Sequence, residues 1–379
     1  MSAPKLPIPL ALPTLGDEEI AALGEVVRSG WVTQGPQVAA FEAALAARVG
    51  ARHAVATSSG TTALHLALVA AGIGPGDEVL VPTLSFIASA NAVRHAGAAP
   101  VLVDVDPHTF NLTVATCERA LTARSRALVA VHQIGLPCDL DPLAEFARSH
   151  KLALIEDAAC AVGATYRGRA IGRPAQPDST VCFSFHPRKV MTTGEGGMIL
   201  TEDHEGAERL RRLRHHGMAV SDVVRHGAGR LVDDRFDEVG WNYRMSDLQA
   251  AVGLVQLQRL DGMLARRRTM ARRYDAAFAG TRVVPPRVPD DRTHTYQSYQ
   301  VLLEESVDRD AIAEKLLAQQ ISVRRGLMLI HRQPPYAEAR GPFPGAEAVA
   351  GHSLMLPLFD ALRETQVDYV IDRLICAIA

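Results

Sequence analysis

Lys189 lies in the segment Ser184-Phe185-His186-Pro187-Arg188-Lys189-Val190-Met191-Thr192-Thr193-Gly194-Glu195-Gly196-Gly197, between an apolar run and a glycine-rich turn. An amine placed there attacks carbonyl carbon and forms a Schiff base once it has shed its proton. Glycines after it let the backbone crowd a flat partner. Glu156-Asp157-Ala158-Ala159 closes a second apolar run, which sets a carboxylate where open α/β sheets keep their ligands. Thr57-Ser58-Ser59-Gly60-Thr61-Thr62-Ala63-Leu64-His65 reads as a passage from strand to helix. Its N–H groups, hydroxyls and helix dipole suit an anion. Phe86, within Pro82–Asn91, stands at another strand-to-helix junction. Taken singly, each piece has a commonplace reading: surface lysine, turn-capping aspartate, Ser/Thr helix cap, core phenylalanine. Taken together they supply attachment, control of an electron sink, anchoring and ring stacking, which is the set that pyridoxal 5'-phosphate (PLP) requires.

Such pieces need a scaffold that brings strand ends together. Between residues 50 and 201 short apolar runs recur at His53–Thr57, Glu78–Pro82, Pro100–Val105, Ala127–His132, Leu152–Glu156, Thr180–Phe185 and Gly197–Thr201. Helical patterns at Thr61–Ala71, Ser85–Ala96 and Pro142–His150 separate several of them. Runs that are apolar nearly throughout and alternate with helices predict an α/β core with a mostly parallel seven-stranded sheet. Asp141-Pro142 marks a helix start, and Ser246-x-x-Gln249 reads as a capping box. A long amphipathic stretch runs from there to about Phe278. A Pro-rich break, a strand-like Tyr296–Leu303, a helix at Asp308–Gln319, a strand-like Ile321–Arg324 and a last helix at Glu364–Ala377 follow. The expected division is a large domain over residues 1–250 and a smaller C-terminal α+β domain over 251–379, joined through the long helix.

Composition narrows the classes. The 379 residues are 47% hydrophobic with a formal net charge of −2, so no electrostatic footprint for nucleic acid is expected. The arginine clusters at Arg211, Arg212, Arg214 and at Arg266, Arg267, Arg268 read as solvated helix faces. Five scattered cysteines without a C-x-x-C pair predict reduced thiols and no metal site. No apolar run approaches the roughly 20 residues that a membrane helix needs, and the N-terminal run is too proline-rich for a signal peptide. A cytoplasmic location is the expectation.

With these motifs in place, the chain resembles the DegT/StrS-type aminotransferases, a branch of the fold type I PLP enzymes that mostly act on nucleotide-linked keto-sugars. The resemblance runs from Gly30-Trp31-Val32-Thr33-Gln34-Gly35-Pro36 through Ser59-Gly60-Thr61, Phe86, Glu156-Asp157 and Ser184–Gly197. It continues through Trp241-Asn242-Tyr243-Arg244-Met245, Ser322-Val323-Arg324-Arg325-Gly326 and Leu356-Pro357-Leu358. It implies that Lys189 bonds the cofactor and then shuttles a proton, and that Asp157 pairs with the pyridine nitrogen. By the same likeness Phe86 stacks on the ring, and Ser59, Gly60, Thr61 and Ser184 hold the phosphate. Asn242 reaches that phosphate from the other subunit of a homodimer with shared active sites. Thr33, His186, Arg324, Arg325 and His331 fall in the substrate region. Two positions depart from the family pattern. Cys160 stands where Gln or His usually lies near the phenolic oxygen, and a thiol is a far weaker donor. Val323 replaces the threonine of a common Thr-Arg-Arg-Gly run.

The resemblance thus implies a PLP-dependent transaminase of amino-sugar biosynthesis. Glutamate would convert PLP to pyridoxamine 5'-phosphate, and the amino group would pass to a nucleotide-linked keto-sugar. A ketocyclitol aminotransferase and a non-catalytic PLP-binding regulatory relative are the alternatives. A dinucleotide dehydrogenase is disfavoured, since no G-x-G-x-x-G lies between an opening strand and helix.

Overall fold

A computed structural model describes residues 6–219, 235–339 and 341–378. The first five residues of the proline-rich N-terminal run lie outside these. The first nine strands are β1 (His53–Thr57), β2 (Glu78–Pro82), β3 (Ala99–Val103), β4 (Ser125–Val131), β5 (Ala153–Asp157), β6 (Thr165–Tyr166), β7 (Arg169–Ala170), β8 (Thr180–Ser184) and β9 (Gly197–Thr201). Seven form one sheet in the order β1-β9-β8-β5-β4-β2-β3. The expected α/β architecture is present: β8, β5, β4, β2 and β3 pair in parallel, and β9 alone runs opposite to its two neighbours. Antiparallel neighbours need no helical crossover, so the chain returns from β8 to β9 directly. That return, residues 185–196, is the lysine segment. Phe185 closes its base, donating to the Gly196 carbonyl at 2.9 Å and accepting from the Thr193 amide at 3.0 Å.

Helices follow the sequence signals with informative exceptions. The helix Ala88–His95 begins three residues later than its pattern, leaving Ser85, Phe86 and Ile87 in the turn. The helix Leu140–Ser149 starts before Asp141, so the expected cap is its second residue. Asp139 precedes it, but the Asp139 carboxylate takes the Tyr166 hydroxyl at 2.6 Å. Ser246 does cap the helix Asp247–Phe278: its hydroxyl accepts from the Gln249 amide at 3.3 Å, and Gln249 Oε1 accepts from the Ser246 amide at 2.9 Å.

Beyond that helix come β10 (Val283–Val284), β11 (Arg292–Thr293), β12 (Tyr299–Leu303), β13 (Arg324–Arg325) and β14 (Ser353–Leu356). Four of them make a second sheet, β10-β12-β14-β13, while β11 joins β6 and β7. The strand expected at Ile321–Arg324 is shorter and displaced. Ile321 makes only an isolated parallel bridge to Ile8, and pairing with β14 begins at Arg324. β14 and the helix Pro344–His352 carried no strong signal in the sequence.

Two apolar clusters result, one around the large sheet and one around the second sheet and the helix Glu364–Ile378. The helix Asp247–Phe278 serves both. Leu260, Met263 and Leu264 enter the first cluster; Met270, Ala271, Tyr274 and Phe278 enter the second. Arg267 lies between them on the same stripe and is buried, contrary to the expected solvated face. Its guanidinium donates to the carbonyls of Tyr296, Gln297 and Leu358 at 3.2–3.4 Å, and burial pushes its pKa down to about 10. Arg214 is likewise buried, paired with Glu42 and the Ala56 carbonyl. Arg211, Arg212 and Arg268 are half-buried, Arg211 pairing with Glu208 and donating to the Ala54 carbonyl, and the reading holds for Arg266, which is exposed.

Candidate active site

The residues singled out in the sequence meet at one end of the large sheet. Asp157 is the last residue of β5 and is buried. Its Oδ2 accepts the Ser89 hydroxyl at 2.7 Å and its Oδ1 the Ala159 amide at 3.2 Å. Ser89 lies three residues after Phe86, so one short helix start both orients the carboxylate and presents the aromatic ring. Phe86 is 65% exposed, a large apolar surface left open beside a buried carboxylate. The ring's open face is therefore available to another flat group.

Lys189 follows β8, which pairs with β5 so that Asp157 faces Cys182. The Lys189 amine donates to Cys160 Sγ at 3.2 Å. The departure from the family pattern is therefore in direct contact with the candidate nucleophile. Cys160 is itself held by Thr295, whose hydroxyl donates to its carbonyl at 2.7 Å. The turn carrying Lys189 is fixed from two sides: the Arg188 amide donates to His186 Nδ1 at 3.2 Å, and the Arg188 carbonyl accepts from Gln297 at 2.6 Å.

The Ser59–Gly60–Thr61 turn opens the helix Gly60–Ala70, with Ser59 capping it through the Thr62 amide at 3.2 Å. Amides in a first helical turn have no intrahelical acceptor, so those of Gly60 and Thr61 are available to an anion. Ser184 closes in from β8. A Cβ on Gly60 would sit 2.6 Å from that of Ser184, so only glycine allows this approach. The helix dipole adds its positive end. Lysine, carboxylate, exposed ring and anion cradle fit PLP in both shape and charge. No group of three or more potential metal ligands occurs among the described residues, and no helix there is long and apolar enough to cross a membrane.

The remaining candidates are placed less uniformly. Asn242 is exposed, and its neighbour Tyr243 accepts the Ser58 amide at 2.8 Å beside the anion turn. Thr33 is exposed, and its carbonyl accepts the Asp247 amide. His331 is engaged internally: Nδ1 meets Thr83 Oγ1 at 2.6 Å, Nε2 meets Glu347 at 2.8 Å, and the ring stacks on Phe343. Arg325 pairs with Asp310 at 2.9 Å. Ser89 and Arg188 were not among the sequence candidates. A serine inside a helix and an arginine beside a lysine carry no signal until the fold sets them against Asp157 and the cleft.

Comparison with known proteins agrees with this geometry. Residues 13–375 match the DegT/DnrJ/EryC1/StrS aminotransferase family. The chain is 44% identical over 373 residues to GDP-perosamine synthase of Caulobacter vibrioides, covering 97% of each chain. It superimposes on the aminotransferase TlmJ from Streptoalloteichus hindustanus with a TM-score of 0.90 at 37% identity, over 98% of both chains. It matches the PMP form of the sugar aminotransferase Spr1654 from Streptococcus pneumoniae with a TM-score of 0.90 at 28% identity, again over 98% of both. A lysine-bearing return between β8 and β9, a carboxylate at the end of β5 and similarity along almost the whole length agree: the chain belongs to the DegT/DnrJ/EryC1/StrS family of PLP-dependent aminotransferases.

Proposed function

We propose that this transaminase moves an amino group from glutamate to a keto-sugar carried on a nucleotide, in a homodimer whose two sites each draw on both subunits. The observation that carries the reading is the joint placement of Lys189, Asp157, exposed Phe86 and the Ser59–Gly60–Thr61 turn around one cleft. Support for the sugar comes from the likeness to GDP-perosamine synthase over almost the full length.

When bound, PLP supplies a carbonyl that captures amines and a ring that accepts electrons, alternating with its pyridoxamine form. Lys189 Nζ would hold the cofactor and, with its amine free, would take and return the proton at the reacting carbon. Asp157 would keep the pyridine nitrogen protonated, its carboxylate fixed by Ser89 and the Ala159 amide. Ser59, Gly60, Thr61 and Ser184 would hold the phosphate, and Phe86 would cover the ring. Asn242 completes the phosphate site of the neighbouring subunit, consistent with its exposure and with the exposed Phe236 and Val239 close to it in sequence.

Purified protein is expected to be yellow, and borohydride should fix the cofactor to Lys189 in a peptide map. Lys189→Ala should abolish turnover while still binding free PLP. Enzyme preloaded with an amino donor should aminate a nucleotide-linked keto-sugar in a single turnover. Amination of free ketocyclitols with none of nucleotide-linked sugars would replace this reading by the cyclitol one. Reduced cofactor found on another lysine would remove Lys189 from its role.

A further inference from the structure

Residues 294–298 join β11 to β12 and reach from the long helix to the Lys189 turn. His294, Thr295, Tyr296 and Gln297 are all buried. The helix Asp247–Phe278 holds the segment from one side: Arg268 donates to the His294 carbonyl at 3.1 Å, and Arg267 to those of Tyr296 and Gln297 at 3.2 and 3.4 Å. The loop after β4 holds its backbone. There the Thr295 amide donates to the Gly135 carbonyl and the Gln297 amide to the Ile134 carbonyl, each at 3.1 Å. Two alternate side chains then reach the backbones on either side of the Lys189 amine. The Thr295 hydroxyl donates at 2.7 Å to the carbonyl of Cys160, whose Sγ accepts from Lys189 Nζ. Gln297 Nε2 donates at 2.6 Å to the carbonyl of Arg188, the residue before Lys189. The fit between the two loops needs unusual backbone: Tyr296 and Ile134 have φ of +50° and +49°, and Gly135 has +104°. Non-glycine residues persist there where the surroundings over-determine them, most often at sites that must place a group. A Cβ on Gly135 would overlap Thr295 Oγ1 and sit 2.9 Å from the Cys160 carbonyl oxygen, so any larger residue would push the hydroxyl off Cys160.

We infer that Thr295 and Gln297 are positioning residues for Lys189: they clasp the backbones of Cys160 and Arg188 and so aim the lysine amine at the reacting carbon. This rests on the proposed reading, in which the free amine takes and returns a proton, and adds the residues that direct it. Holding the cofactor and moving a proton make different demands on that amine. A covalent bond keeps its own geometry, and the flexible lysine stem absorbs a small shift of the turn. A proton passes only within hydrogen-bond reach, roughly 2.6–3.2 Å, and a misplacement of about 1 Å can cost on the order of 10²-fold in rate. Loss of either contact therefore slows the proton step and leaves cofactor and substrate binding in place. Since Arg267 and Arg268 hold the same segment, the aim of the amine is set from the long helix as well as from the β8–β9 return.

The test is single-turnover absorbance of the PLP-loaded full chain with glutamate and with glutamate deuterated at the α-carbon. Thr295→Val removes the hydroxyl at nearly constant shape, Thr295→Ser keeps it, and Gln297→Leu removes the side-chain amide. Thr295→Val and Gln297→Leu should each slow the donor half-reaction by about 10- to 100-fold, with the half-saturating glutamate concentration unchanged. Their deuterium isotope effect should be at least as large as that of wild type, because the slowed step is the one that moves this hydrogen. Thr295→Ser should react as wild type does. Hydrogen exchange in the cofactor-free variants gives a reading independent of turnover: amides of residues 186–191 should exchange faster than in wild type, and those of β1 at the same rate. Thr293→Val, which loses a hydroxyl bonded to Thr165 just before the segment, should leave both readings unchanged. Wild-type rates in both folded variants overturn the inference, and in one of them strike that residue from it. A slow variant whose isotope effect has fallen, or whose loss lies in cofactor or glutamate affinity, also overturns it, since another step would then depend on the contacts. Wild type that is inert towards glutamate brings down the reading beneath. Hydrogen exchange then decides the clasp alone, and unaltered protection of residues 186–191 in both variants overturns it.

Discussion

Asp157 shows how little of a candidate site residue's environment is local. Its carboxylate is held by Ser89, 68 positions earlier, and by the amide of Ala159, two positions later. Asp157→Asn keeps the shape and loses the charge that, in the proposed role, would hold a proton on the pyridine nitrogen. Both half-reactions should slow by about 10² to 10⁴, equivalent to roughly 3–5 kcal/mol of barrier. Single-turnover absorbance changes in cofactor-loaded protein check this, and near-normal rates would dismiss the role. The placement of Lys189, Asp157, Gly60 and Phe86 around one cleft was legible in the sequence because each abuts a strand end or a glycine turn. That of Ser89, Arg188 and Arg267 was not. Their residue types are ordinary for a helix or a surface, and only the tertiary fold gives them a carboxylate, a glutamine amide or three buried carbonyls to meet. Cys160 was legible as a departure, but its contact with the Lys189 amine was not.

Elements were legible where periodicity and capping agreed. β1, β2 and β9 fall at the expected residues, and the Ser246 box starts its helix as read. Failures have physical causes: the turn at Phe86 delays a helix whose composition would let it begin at Ser85, and β14 is four buried residues without alternation. The stretch before β12 carries a further consequence. His294 is buried, stacks on Tyr296 at 4.2 Å between ring centres and accepts the Tyr296 amide at 2.8 Å through Nδ1. Burial pushes its pKa from 6.5 down to about 3, with Arg268 adding to the effect. The folded imidazole stays neutral where the unfolded one takes a proton. Its contribution is therefore complete above pH 6.5 and declines as pH falls from there toward about 3. Between pH 7.5 and 5.5 this one group should cost about 1.4 kcal/mol of stability. In His294→Asn the Asn carbonyl oxygen can still accept the Tyr296 amide, so that part of the pH slope should vanish from urea unfolding curves. An unchanged slope would place the titration elsewhere.

At the scale of the whole molecule, a site shared across a two-fold interface has an arithmetic consequence. If Asn242 serves the partner's phosphate, Lys189→Ala and a folded, inactive Asn242→Ala variant should complement each other. A mixed dimer carries both lesions in one site and neither in the other. Random reassortment of equal amounts makes half the dimers mixed, so refolding the variants together should restore roughly a quarter of wild-type activity. Verified mixed dimers that stay inactive would exclude a role for Asn242 across the interface. Within the chain the helix Asp247–Phe278 has a comparable role. One stripe of side chains runs from Leu260 through Arg267 to Phe278 and passes from one apolar cluster to the other. The helix therefore transmits an angle as well as a length. One residue inserted near Arg267 would turn everything after it by about 100° and aim Met270, Tyr274 and Phe278 away from their cluster. Seven inserted residues would bring the stripe back to within about 20° while moving the second cluster about 10 Å along the axis. Rotational phase thus constrains this helix more tightly than distance, and length changes near Arg267 should survive in whole heptads far better than in single residues.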